Sequence, residues 1–159
     1  MAEEAAVRSS HGWELWFGEL FAARWASQRK LVKQLKAKLK QSDFEAHPEV
    51  KLFAALFNIV HDVVPRDPQA PEFRLGATLG SKYASWRRAK GHGLPPRMRL
   101  FFKYSSARKV IVFAWLNDEG TLRKAGASTD VYAVFQRMLK SGDPPDDFEA
   151  LRKKASSAK

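Results

Sequence analysis

Between Phe17 and Leu39 the apolar residues Phe17, Phe21, Trp25, Val32, Leu35 and Leu39 recur at spacings of three and four, with Gln28 filling the gap. That period puts them on one stripe of a helix, and the lysines of the segment fall on its other side. Upstream, Gly12 to Phe17 suits either a short strand or the start of that helix. Ser42 and Asp43 interrupt the pattern. A second helix is predicted from Pro48 to Val63. Pro48 fits a first helical turn, where a missing N–H costs nothing, and Pro65 stops the helix. Its residues Val50, Leu52, Phe53, Leu56, Phe57, Ile59, Val60 and Val63 wrap the whole circumference. Deep burial is therefore expected, with Asn58 and His61 on the drier edges.

Residues 64–80 hold three prolines and two glycines and read as a loop. Strands are predicted at Ser85–Lys90, Arg97–Tyr104 and Lys109–Leu116, the last two joined by a short hairpin connection at Ser105–Arg108. The VIVFAWL run of the last strand is nearly all apolar, which predicts a central strand covered by helices. Along the middle strand Arg97, Arg99, Phe101 and Lys103 point one way, and Met98, Leu100, Phe102 and Tyr104 the other. A third helix follows from Thr129 to Leu139, capped by Thr129 or Ser128 and ended by Ser141-Gly142. Asp143 to Leu151 reads as a further short helix. Residues 1–10 and 152–159 are small and polar and are expected to be disordered tails, which leaves 11–151 as one domain. Helices, then antiparallel strands, then a helix predict an α+β layer. In it a twisted antiparallel sheet carries helices on one face and Arg99 with its neighbours on the other.

Charge sharpens this picture. Lys plus Arg number 28 against 17 Asp plus Glu, a formal net charge of +11 in 159 residues. From Phe73 to Asn117 ten cations occur without one acid, among them Lys82, Arg87, Arg88, Lys90, Arg97, Arg99 and Lys103. Arg29 to Lys40 adds six more, again without an acid. Solvated faces normally mix signs, so the partner expected is a polyanion. With no cysteine there are no disulfides, thiolate metal sites or cysteine nucleophiles, and a reducing compartment fits. No apolar run approaches the roughly 20 residues of a membrane span. The opening MAEEAAVRSS lacks the apolar core of a secretory signal, so a cytoplasmic protein is expected.

The usual catalytic constellations are missing. His11, His47, His61 and His92 form no i,i+4 pair, no glycine-rich phosphate loop opens a helix, and no GxSxG elbow is present. No metal and no cofactor are expected. Asp146-Asp147 reads as a solvated acidic turn. What remains is a cluster of cations on a sheet, Arg88 with Lys90 on one strand and Arg97 with Arg99 on the next. Like charges so close gain a fold nothing. They are tolerated where phosphates bind, either to dock RNA or to stabilise the extra charge of a phosphorane-like transition state.

The stretch RMRLFFKYSSARKVIVFAWLNDEGTLRKAGASTDVYAVFQRMLKSGDPPDDFEAL (97–151), with GWELW (12–16) and PEFRLGATLGSKYASWRRAK (71–90), closely resembles the YhaV family of bacterial toxins, within the RelE/ParE-like superfamily. The resemblance covers nearly the whole chain. It implies a RelE-like fold, with two N-terminal helices and a C-terminal helix on a small twisted antiparallel sheet. It implies the toxin of a type II toxin–antitoxin pair, a ribosome-dependent mRNA endoribonuclease that works by attack of the ribose 2′-OH on the adjacent phosphate. The implied partners are mRNA, the ribosome and a PrlF-like antitoxin of the AbrB type, in a hetero-oligomer. Carried over by motif, Arg99 and Arg97 stabilise the phosphate, Arg88 and Lys90 bind RNA from the preceding strand, and Arg123 of TLR contacts phosphate. Tyr132 of TDVY stacks on a base or moves a proton. A tyrosine titrates near 10 when unperturbed, so it would need nearby cations to act as a base. Arg87, Lys82 and Lys103 complete the expected RNA-binding set.

Two departures stand out. Met98 replaces the family's Tyr between the two arginines, which loses a stacking contact or merely refills core space. The turn GHGLPP (91–96) brings His92 toward the cluster as a candidate general acid or base, against the plainer reading of an exposed loop histidine. Trp115 and Trp86 are read as core rather than as base-stacking platforms. Asn117 and Asp118 are read as holding the TLR loop by local hydrogen bonds. The Arg29–Lys40 face suits ribosomal RNA or plain solvation. The Phe17, Phe21, Trp25 stripe suits the core, or in part an antitoxin or a second copy. Two rival functions stay open: a catalytically inactive RNA- or ribosome-binding module, and a relaxed toxin that inhibits another target by binding.

Overall fold

The computed structural model describes residues 7–159. Strand β1 (Ser9–Ser10) turns back onto β2 (Trp13–Phe17), which leads into the long helix α1 (Glu19–Lys38). The short α2 (Gln41–Ala46) and α3 (Pro48–Asn58) follow. The His47 ring accepts the Glu49 N–H at 3.1 Å and so caps α3, with Pro48 in its first turn. The helix does not stop before Pro65. It widens into a π turn at Ile59–Val63 and continues as the single turn α4 (Val64–Arg66). Pro65 has no N–H to offer the carbonyl of His61. Ser10 Oγ donates to that carbonyl instead, at 2.6 Å, so the freed acceptor pins β1 to the helix.

The sheet runs in the order β1-β2-β5-β4-β3, with β3 at Arg87–Ala89, β4 at Leu100–Ser105 and β5 at Val110–Leu116. The β3–β4 and β4–β5 pairs are antiparallel, but β2 lies parallel to β5, with Leu15 opposite Ile111. The sheet is therefore mixed, not purely antiparallel. Gly12–Phe17, left open between strand and helix, is the strand that makes it so. In the β4–β5 pair Phe101 faces Trp115 and Phe102 faces Phe113. Ala114 is the extra residue of a bulge.

Helices cover both faces, which corrects the one-sided layer. Leu15, Phe17, Leu100, Phe102 and Phe113 pack under Phe21, Trp25, Leu52 and Leu56 of α1 and α3. Phe101, Val110, Val112 and Ala114 pack under Val131, Phe135 and Leu139 of α5 (Val131–Ser141). The alternation along β4 predicted these two sets, and Met98 joins the first. Because every position of VIVFAWL but Trp115 is buried, each face needs its own cover, and α5 supplies the second. Trp115 stacks on Phe135, with ring centroids 5.6 Å apart and planes 2° apart.

The C-terminal tail departs from the expected disorder. α6 (Phe148–Lys153) starts at Asp147, whose carboxylate accepts the Ala150 N–H at 3.0 Å. Strand β6 (Ser156–Ser157) then pairs with β2, and the Ala158 N–H donates to the carbonyl of Leu15 at 3.0 Å. The edge of β2 needs backbone partners, and the small residues at both ends of the chain provide them. Of the expected N-terminal tail, Ser9 and Ser10 are in β1, and residues 1–6 lie outside the described residues. Among the described residues no helix is long and apolar enough to cross a membrane.

Candidate active site

β3 pairs with β4 so that Arg88 stands opposite Phe101, on the sheet face covered by α5. Arg99 enters that face from the residue before β4. Tyr132 reaches it from the first turn of α5 and is only 5% exposed. The phenol oxygen of Tyr132 accepts N–H groups from both guanidiniums, Arg88 Nε at 3.0 Å and Arg99 Nε at 3.2 Å. Arg88 Nη1 also donates to the carbonyls of Glu72 at 2.7 Å and Arg74 at 3.2 Å, and Arg99 Nη1 donates to the carbonyl of Met98 at 2.9 Å. Arg123 lies over the Tyr132 ring, 4.8 Å from its centroid. Arg88 and Arg99 are thus held by neutral acceptors, and among the described residues neither meets a carboxylate. Two cations fixed side by side without counter-charge form an anion site.

Asp130 is the one acid in the cluster. It caps α5 by accepting the Tyr132 N–H at 3.1 Å, and it also accepts the Lys124 N–H at 2.6 Å and Arg123 Nη1 at 2.9 Å. Burial pushes its carboxyl up, but the Lys124 N–H, the Arg123 guanidinium and the Tyr132 N–H together hold it below the ordinary carboxylate value. Sequence reasoning missed Asp130 and placed the cap on Ser128 or Thr129. Its signal was present, since Asp is as good an N-cap as either. We expect Asp130→Ala to lower stability by about 1–3 kcal/mol in urea unfolding, the loss of a cap plus charged hydrogen bonds. A lowered native pKa stabilises the fold above the ordinary carboxylate value and loses that contribution as pH falls through the native pKa. The stability gap between wild type and Asp130→Asn is therefore expected to narrow below about pH 4.

Fully buried Asn117 ties the strand ends to the loop that carries Arg123. Its Oδ1 accepts the Arg99 N–H at 2.7 Å, and its Nδ2 donates to the carbonyls of Arg97 at 3.0 Å and Thr121 at 2.9 Å. Asp118 caps the following turn through the Gly120 N–H at 2.9 Å. Both residues do what their loop position suggested.

The other expected site residues disperse. Arg97 adopts a left-handed φ of 73°, and its backbone serves the site while its side chain is exposed: its carbonyl accepts the Arg123 N–H at 3.0 Å. Lys82 and Lys90 are exposed, and neither is in an ion pair among the described residues. Arg87 faces away from Arg88, opposite Phe102 and 5.6 Å from the Tyr104 ring. Lys103 is buried at 8% exposure, 3.0 Å from Asp146 Oδ1, and cannot meet RNA as placed. Trp86 Nε1 donates to the same carboxylate oxygen at 2.8 Å, so Asp146 is a structural partner and not a solvated turn residue. Trp86 itself is core, as read. His92 sits 2.8 Å from Glu72 Oε1, one residue removed from the cluster, because the Glu72 carbonyl holds Arg88. Among the described residues no group of three or more His, Asp or Glu could hold a metal ion. Beside the arginines, a hollow of about 320 Å³ is lined by Thr78, Arg123, Asp130, Tyr132 and Gln136.

A small basic α+β protein with two guanidiniums fixed side by side at one sheet edge presents a site for anions. Residues 15–156 match the YhaV toxin family, described as "Toxin with endonuclease activity, of toxin-antitoxin system", and the chain belongs to that family. It is 40% identical over 143 residues to "Ribonuclease toxin YhaV" of Escherichia coli strain K12, covering 89% of this chain and 90% of that protein. The same values hold for "Toxin YhaV" of E. coli O6:H1 and of E. coli O157:H7. No solved structure matches the chain. As the toxin of a toxin–antitoxin system it has an antitoxin for a partner.

Proposed function

We propose that the chain is a toxin that cuts mRNA on the translating ribosome, with Arg88, Arg99, Arg123 and Tyr132 as its active site. The observation that carries this reading is the single phenol oxygen of Tyr132 that receives both Arg88 and Arg99. The two guanidiniums are oriented before substrate arrives, which is what stabilisation of a developing phosphorane charge requires. The 2′-hydroxyl of a ribose attacks the adjacent phosphorus and gives up its proton to water, the bond to the 5′-oxygen breaks as that oxygen takes up a proton, and a 2′,3′-cyclic phosphate remains. Arg88 and Arg99 hold the equatorial oxygens, and Arg123 flanks them over the tyrosine ring. Both lone pairs of the Tyr132 oxygen are occupied by arginine donors, so its role is to position them. His92, paired with Glu72, is the titratable group beside the cluster and serves proton transfer to the departing 5′-oxygen. Exposed Arg97, Lys90 and Lys82 extend the cationic track for the RNA strand.

RNA as substrate is supported by the name of the K12 relative, a ribonuclease toxin. One RelE-like toxin domain spans the sheet from β1 to β6 and acts in the bacterial cytoplasm, where translation runs. Its antitoxin is of the PrlF-like, AbrB type and forms a hetero-oligomer with it. The test is reconstituted translation of end-labelled mRNA, with and without ribosomes. Cuts with cyclic phosphate ends that need ribosomes are expected. Cuts in both reactions would overturn ribosome dependence. Intact mRNA in both would overturn the nuclease and leave a docking surface.

A further inference from the structure

A second cationic surface lies at the opposite edge of the sheet from Arg88, where α1 meets β6. Two adjoining hollows of about 350 and 530 Å³ share Trp25, Arg29, Ser157 and Lys159 in their walls. Phe17, Trp25, Phe53 and Phe57 line them with apolar surface. Arg8, Arg29, Lys30, Lys33 and Lys159 supply the charge, and among the described residues no acidic side chain lines either hollow. None of these five cations is in an ion pair among the described residues. Phe57 is 45% exposed, a large apolar side chain left at the surface of a chain that buries most of its aromatics. The indole N–H of Trp25 is buried without an acceptor.

We propose that this groove docks an acidic segment of the antitoxin that carries apolar side chains, apart from the site that cuts RNA. The inference rests on the toxin–antitoxin reading for the existence of that partner, and on the groove for the chemistry of the segment. An all-cationic rim selects an anionic occupant, and a recessed apolar floor selects one with side chains to insert. RNA also satisfies the charge, but sequence-tolerant RNA binding uses open aromatic faces. Phe17 and Trp25 are each only 2% exposed, and Phe57 is stacked on His61, with centroids 4.1 Å apart. The floor suits inserted leucine or phenylalanine side chains better than stacked bases. Because β6 and β3 lie at opposite edges, the docked segment leaves Arg88 and Arg99 uncovered.

The test compares two variants with wild type. Arg29→Glu/Lys33→Glu reverses the rim charge. Ala26→Trp, at an exposed position lining the first hollow, fills it without changing charge. Binding of the purified cognate antitoxin and of fluorescein-labelled oligouridine is measured for each, with circular dichroism to confirm folding. Both variants are expected to weaken antitoxin binding by at least about tenfold and to leave oligouridine binding within about twofold. Antitoxin affinity preserved in both variants overturns the proposal. So does a loss of oligouridine affinity as large as the loss of antitoxin affinity, which makes the groove an RNA surface. Neither result depends on cleavage, so a failure here is distinct from a failure of the nuclease reading.

Discussion

Arg99→Ala is expected to slow mRNA cleavage by roughly 10²–10³-fold, the usual cost of removing one preorganised donor to a transition-state oxyanion. Arg99 is held in place by anchors on both its side chain and its backbone. Its Nε is fixed on Tyr132, and its Nη1 on the carbonyl of its own neighbour, Met98. Its backbone N–H is fixed as well, by Asn117. Little of that ordering has to be supplied when RNA binds, so the charge acts mainly on the transition state. The variant should therefore lose rate rather than affinity, because exposed Arg97, Lys90 and Lys82 still hold the RNA. Single-turnover cleavage on ribosomes, with RNA affinity measured in parallel, separates the two. Arg99→Lys restores the charge but not the fork that reaches Tyr132 and a phosphate together, so only a small part of the rate should return. A fall of less than about fivefold for Arg99→Ala would remove Arg99 from the transition state and shift the task to Arg88 and Arg123.

The parts of this fold and site that could be read from sequence are those set by local pattern. The alternation along β4 and the apolar run of β5 each follow from the geometry of one element and are found in place, and of the stripe on α1 the part from Phe21 to Gln28 is buried while Phe17 belongs to β2. The basic window from Phe73 to Asn117 holds Arg88 and Arg99, the resemblance added Arg123 and Tyr132 from beyond it, and the structure brings these four side chains together. What could not be read depends on how elements meet. Lys103 and Arg99 share one side of β4 by period, yet Lys103 lies further along, where Asp146 and Trp86 enclose it. A strand's period says which face a residue takes, and nothing about what comes to cover that face. Arg87 and Arg88 are adjacent in sequence and equal in charge, and only the pairing of β3 with β4 sends one to the site and the other to Tyr104. The parallel β2–β5 pair and the C-terminal β6 are likewise long-range choices. The serines of β1 and β6, Ser9, Ser10, Ser156 and Ser157, carry no strand signal of their own.

Tyr132→Phe separates the proton transfer that sequence left open for the tyrosine from the positioning of Arg88 and Arg99 that its oxygen performs in the fold. Phenylalanine keeps the ring that meets Phe101 edge-on, at 5.8 Å and 87°, and that lies under Arg123. It removes only the oxygen on which Arg88 and Arg99 converge. Arg88 retains its carbonyl anchors at Glu72 and Arg74, while Arg99 retains one, so both guanidiniums persist but lose their common reference point. Cleavage is expected to fall about 10–100-fold, as misplacement by a fraction of an ångström does, while stability changes by no more than about 1 kcal/mol. The pH–rate profile decides what the loss means. If Tyr132 only positions the arginines, the profile keeps its shape and drops as a whole. If its oxygen takes the 2′-proton, one limb of the profile disappears with it. A phenol that keeps its own hydrogen while accepting from both arginines has no position left for the 2′-proton, which only the ionised oxygen could take up. With that hydrogen in place the profile is expected to drop without changing shape, and a lost limb would mark the ionised oxygen as the base.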